Sequence, residues 1–115
     1  MTRSFYKDTV VRIRAGIAPN PHSSSGSGLD WSAPARLVIN GCRVQVLSSA
    51  ERETRPEITH RLLLPISADI EADDRVEFVD ARGRTRTSHV DGEPTWGRGP
   101  TGAAQHAEAR LRAMD

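Results

Sequence analysis

Hydrophobic and polar positions alternate along much of this chain, and that period marks strands. In residues 8–14, Thr9, Val11 and Ile13 share one face while Val10, Arg12 and Arg14 share the other, which predicts a first strand with one wet side. Residues 36–47, RLVINGCRVQVL, are β-branched and roughly alternating. Asn40-Gly41 in their middle is either a turn between two short strands or a bulge in one long strand. In residues 58–66, Ile58, His60, Leu62 and Leu64 fall on one face, and Pro65, lacking an N–H, ends the ladder. Residues 75–80 and 84–91 pair as a hairpin around Ala81-Arg82-Gly83.

The last segment, AQHAEARLRA, carries two signals. Its Ala, Glu, Leu and Arg favour helix by propensity, yet Ala107, Ala109, Leu111 and Ala113 alternate with His106, Glu108, Arg110 and Arg112 at strand period. Two stretches read as loops. Residues 15–35, rich in Ser, Gly and Pro, predict a long mobile loop anchored only by Ile17, Leu29 and Trp31. Residues 48–57, SSAERETRPE, predict a charged, solvated one. Trp96 sits in a Pro/Gly stretch expected to be a loop whose indole plugs the end of the domain. The sum is a mainly β chain of five to six short antiparallel strands with long loops, a small barrel or sandwich forming one domain over residues 1–115.

Composition sharpens this picture. Leu, Ile, Val and Phe supply 23 of 115 residues, so the core is thin, while a net charge of only +1 leaves little self-repulsion to oppose folding. A thin core leaves surface for partners, which predicts an oligomer or a component of an assembly. The charge is unevenly arranged: residues 69–80 hold six carboxylates against Arg75, and Arg82, Arg84 and Arg86 follow. Either this is a solvated hairpin of mixed charge, or Asp73 and Asp74 meet Arg82, Arg84 and Arg86 of a neighbouring copy, head to tail. Cys42 stands alone, so an internal disulfide is excluded and an intracellular setting is expected. The opening MTRSFYKDTV has no apolar stretch of a secretory signal, and the longest aliphatic run is Leu62–Leu64, so no membrane role is expected.

Catalytic chemistry finds little footing. Gly97, Gly99 and Gly102 match G-x-G-x-x-G, but a dinucleotide fold needs a strand before it, a helix after it and an acidic residue further on, and only thirteen residues follow Gly102. His22, His60, His89 and His106 are scattered without a close cysteine, so no local metal site is expected; His60, on an apolar face, reads as a half-buried structural histidine. No cofactor, metal or catalytic residue is assigned. A single-strand-binding or peptide-binding barrel remains as an alternative, although its stacking platform would have to come from Phe5, Tyr6, Trp31, Phe78 and Trp96, several of which the core needs.

The order of segments resembles the head-to-tail stopper (head-closure) proteins of tailed bacteriophages. The likeness rests on FYKDTVVRIRAG, a variable loop and DWS in the first half. In the second half it rests on ADDRVEF and on VDGEPTWGRGPTGAAQHAEARL, with its P-x-T-G…H-x-E-A-x-L ending. The resemblance implies a small β-barrel in which residues 104–113 are the closing strand and GRGPTG is a loop leading into it. It implies a virion protein of the phage neck, assembled in the host cytoplasm as a ring of about six or twelve of its own copies. Its neighbours would be a portal or adaptor protein on the head side and a tail terminator or tail tube protein on the other, with double-stranded DNA passing through. On this expectation Glu51, Arg52, Glu53, Arg55 and Glu57 form a candidate channel gate, mixed in sign so that copies pair without gripping DNA. Residues 15–35, with Ile17, Leu29 and Trp31, form a candidate docking loop.

Overall fold

The computed structural model describes residues 7–18, 28–98 and 104–114. Seven strands account for most of them: β1 (Asp8–Ala18), β2 (Gly28–Val46), β3 (Ile58–Pro65), β4 (Arg75–Val79), β5 (Thr85–Val90), β6 (Thr95–Arg98) and β7 (Ala104–Ala113). They form one antiparallel sheet in the order β3-β2-β1-β4-β5-β7-β6, and β7 also pairs with β3 along its other edge.

The expected barrel of five to six strands is therefore corrected to a seven-stranded antiparallel sheet. Closure into a barrel takes tilted strands whose register staggers by a fixed shear around the sheet. Here the strands run from four to nineteen residues. The β1–β2 seam has nine paired positions, while the β1–β4 and β5–β7 seams have three each. The two longest strands overshoot the rest as a two-stranded arm, and the body measures 53 × 30 × 27 Å.

That arm also corrects the predicted long loop. Residues 15–18 and 28–35 belong to β1 and β2, with Ile17 opposite Leu29; the remaining 19–27 lie outside the described residues. Turn-forming composition was overridden by pairing with a neighbour already in register. Asn40-Gly41 is a bulge in one long strand: the register slips between Asp8↔Cys42 and Val10↔Ile39, and Gly41 takes φ +73°, the left-handed conformation that glycine enters without a Cβ penalty. Gly83, at φ +79°, turns the β4–β5 hairpin, where the Gly83 N–H donates to the Asp80 carbonyl at 2.9 Å.

The inward faces follow the period of two, but β1 corrects the expected sidedness: Val10 and Arg12, on the face expected to be wet, are buried, while Thr9 on the other is exposed. Val10 on β1, Val76 and Phe78 on β4, and Leu62 and Leu64 on β3 meet Ala107, Ala109 and Leu111 on β7, all buried. Leu62 lies opposite Ala109 and Leu64 opposite Ala107, so large side chains of one strand fill the space left by small ones of the other. This packing explains why an alanine-rich segment of good helix formers is a strand. β6 was not expected. Its Trp96 plugs nothing: the indole is 53% exposed, and its Nε1 donates to the Ile66 carbonyl at 3.4 Å.

Candidate functional site

Because every neighbouring pair is antiparallel, the connections separate into two ends. The arm, the β3–β4 loop (66–74) and the approach to β7 share one end; the β2–β3 loop (47–57) and the β4–β5 turn (80–84) share the other. The candidate residues distribute over both.

The arm carries the docking candidates. Ile17 is 74% and Leu29 52% exposed, and as a cross-strand pair they form an apolar patch on the arm with no partner among the other described residues. Trp31 is placed differently. Between Arg14↔Ala35 and Gly16↔Asp30, residues 31–34 oppose Ala15 alone, so the chain bows out there. The bow is held by the Asp30 carboxylate, which accepts from the Ser32 N–H (2.9 Å) and hydroxyl (2.6 Å) and is drawn below the usual carboxylate range by them, the hydroxyl first. It returns Trp31 to its own sheet, where the Arg75 guanidinium lies 3.7 Å from the ring centre. Of the three docking candidates, two are bare on the arm and one is spent on the body. The outer edge of β2 before Arg43 has no strand beside it among the described residues, since β3 pairs only with Arg43–Val46. Leu37 and Val38 are exposed on that stretch. A long open edge of this kind is a template for a strand of another chain.

The candidate gate charges are largely committed within the chain. Glu51 pairs with Arg61 at 2.5 Å; Arg55 pairs with Glu57 at 2.6 Å and with Asp91 at 3.2 Å. Arg52 donates from Nε and Nη2 to the Pro56 carbonyl at 3.2 and 2.7 Å. Only Glu53 has no charged or hydrogen-bonding side-chain partner among the described residues. Breaking these bonds would precede any pairing between copies.

The acidic and basic candidates lie at opposite ends of the β4–β5 hairpin, and they are not equivalent. Asp74 is buried and belongs to an internal clamp. Arg14 donates to it from Nε (2.9 Å) and Nη2 (3.0 Å), and its second oxygen also accepts the Glu71 N–H at 2.9 Å. Arg14 reaches Asp69 too, and the buried Arg12 donates to Asp69 at 2.9 Å. The hydrogen bond to Asp74 raises the Arg14 pKa above its ordinary value despite partial desolvation. This clamp ties the acidic loop to β1. Asp73, at φ +71°, stays exposed. At the other end the Asp80 carboxylate accepts from Arg86 Nε (2.6 Å) and from the Arg82 and Arg84 N–H groups (2.9 and 3.0 Å). Arg82 and Arg84 keep their guanidinium groups in solvent without an ion-pair partner among the described residues.

Beside that turn a cavity of about 230 Å³ lies over Val44, Val46, His60, Phe78 and Val79. It opens onto a trough lined by Arg52, Asp80, Arg82 and Arg86. His60 stands edge-on to Phe78 with 5.0 Å between ring centres, its Nδ1 2.7 Å from the Thr59 hydroxyl. Burial, then the positive charge of Arg86, lowers its pKa, so the imidazole is neutral at pH 7. Cys42 is buried and its thiol pushed up to about 11, chiefly by desolvation. The cavity sets Val44, Val46, Phe78 and Val79 beside the Asp8 and Asp80 carboxylates, and the trough it meets carries three arginines, an arrangement suited to gripping a side chain or segment.

Sequence reasoning missed two features here. The clamp's one signal was a run of acids too dense for one loop to leave unpaired; Arg12 and Arg14 fell on the face expected to be wet and gave none. The exposed Val46 and Val79 beside the cavity carried no signal, since their strands look alike whether covered or bare. Of the glycine motif only Gly97 is described, within β6; Gly99 and Gly102 lie outside the described residues. Among the described residues no three His, Cys, Asp or Glu gather as a metal site, and no helix is long and apolar enough to cross a membrane.

No protein-family model matches the chain, and no curated protein matches it. The chain is similar to the solution structure of protein SF1141 from Shigella flexneri 2a, solved in a structural-genomics programme: 17% identity and a TM-score of 0.58 over 98% of this chain and 96% of that one. At that identity the likeness is one of fold.

Proposed function

We propose that this chain is a structural component of a tailed-phage neck, a stopper that closes the filled head beneath the portal or adaptor and offers a surface to the tail. The order of its sequence segments suggested that reading, and one observation carries it forward: near the end of the described part of the two-stranded arm, Ile17 and Leu29 form an exposed apolar pair that no other described residue covers. Apolar side chains left bare on an arm are suited to burial against a neighbour. Burying two aliphatic side chains is worth roughly 1.5–3 kcal/mol each, enough to hold a subunit once a ring multiplies the contacts. The open edge of β2 adds backbone groups for strand addition. The candidate gate loop contributes less, because most of its charges are satisfied internally.

The test is made on particles. Antibody against the chain should label the junction between head and tail, and deletion of its gene should leave filled heads that leak DNA beside unattached tails. Particles that assemble normally without the chain, or that never contain it, would refute the proposal.

A further inference from the structure

We infer that this chain associates with copies of itself head to tail, the acidic end of one subunit entering the arginine-rimmed trough of the next. The inference deepens the neck reading by naming the contact, and it rests on that reading only for the premise of self-association.

Two complementary surfaces lie at opposite ends of the sheet. The knob is made by Ile66 and Trp96, both exposed and joined by the Trp96 Nε1 hydrogen bond to the Ile66 carbonyl. The β3–β4 loop that begins at Ile66 then presents Asp69, Glu71 and Asp73, exposed carboxylates at the same end of the sheet. Arg12 and Arg14 both pair with Asp69, and Arg14 reaches Glu71 only at 3.8 Å, which leaves Glu71 and Asp73 as the less compensated charges. The trough at the other end has Val46 and Val79 exposed above Phe78, with Arg52, Arg82 and Arg86 on its rim. Asp80 offsets Arg86, and the Asp8 carboxylate, which accepts the Val44 N–H, lines the cavity below; Arg82 and Arg84 carry the remaining positive surplus. Each surface pairs bare apolar side chains with a surplus of one sign, and the signs are opposite. Such a chain repels its own end against a like end and attracts the unlike one, which selects a heterologous contact over a two-fold dimer.

Asp74 and Arg86 drop out of the charge pairing suggested by the sequence, because each already has its partner within the chain. Asp73, Arg82 and Arg84 remain, and the exposed Glu71 joins them. The inner cavity of about 230 Å³ is of the order of a side chain, and the trough above it, about 410 Å³, leaves room for the flanking residues of an entering loop.

Sedimentation of the purified chain at low and high salt tests the contact, with folding checked by circular dichroism. The intact chain should self-associate, less so as salt rises. R82E/R84E reverses the trough and E71R reverses the knob; each should weaken association by about tenfold or more. W96S should weaken it without changing its salt dependence. The decisive sample mixes R82E/R84E with E71R: the reversed ends fit each other and the unreversed ends fit natively, so association should return in alternating order. An intact chain that stays monomeric up to millimolar concentration would overturn the inference. So would folded charge variants that associate like the parent, or a mixture that fails to recover. Should the contact fail while antibody still labels particle necks, the inference falls alone and the neck reading stands.

Discussion

Replacing Asp74 by Ala removes the hub of the loop clamp and should be among the most damaging single changes in the chain. The side chain is buried, takes two hydrogen bonds from Arg14 at 2.9 and 3.0 Å, and accepts the Glu71 N–H at 2.9 Å. Removing one partner of a buried pair costs about 3–5 kcal/mol, mostly because the other charge is left without compensation. Arg14 is not so stranded: its side chain is 27% exposed and keeps Asp69 at 3.1 Å. We therefore expect about 2–3 kcal/mol, the Arg14 bonds contributing most and the orphaned Glu71 N–H the remainder. That is about a 30- to 150-fold shift in the folding equilibrium, and a melting temperature lower by roughly 10 °C for a domain of this size. Urea unfolding followed by circular dichroism measures it, and a cycle of D74A, R14A and the double variant isolates the pair. A D74A cost below about 0.5 kcal/mol, or a coupling energy near zero, would refute the claim that this bond holds the acidic loop to β1.

Three further expectations are independent of the clamp. The Asp80 carboxylate is held down to about 2 by its hydrogen bond from Arg86, helped by the Arg84 and Arg82 N–H groups. Its folded pKa lies below the unfolded value near 3.9, so its contribution is full above about pH 4 and is lost as pH falls toward 2. The gap in urea midpoint between the parent and D80N should accordingly close over that range; a gap that persists at pH 2 contradicts the assignment. Gly41→Ala should cost about 1–2 kcal/mol through backbone conformation alone, since an added Cβ meets nothing nearer than Pro65 Cγ at 3.7 Å; an unchanged urea midpoint would show the bulge to be relaxed. Cys42, buried with its thiol pushed up to about 11, should resist thiol reagents at pH 8 and react fully in urea. Rapid labelling of the native protein would mean that the core beside it opens.

The alternation of side chains determined, without the fold, that this is a mainly antiparallel β chain. It located β3, β4 and β5 to within a residue or two and placed the turn at Gly83, because period and turn chemistry are local properties written into neighbouring residues. For residues 104–113 the local signals disagreed, and only Leu62 and Leu64 standing opposite Ala109 and Ala107 decided for strand. The extension of β1 and β2 into an arm, the addition of β6 and the departure from a barrel were likewise tertiary decisions, since a segment of weak propensity takes the conformation of whatever edge it can pair with. Charge followed the same division. The sequence counted acids and arginines, but whether a given one is spent or free depends on residues some sixty positions away: Asp74 is consumed by Arg14 while Arg82 stays bare. Coulomb attraction acts across space, and the fold alone sets those distances.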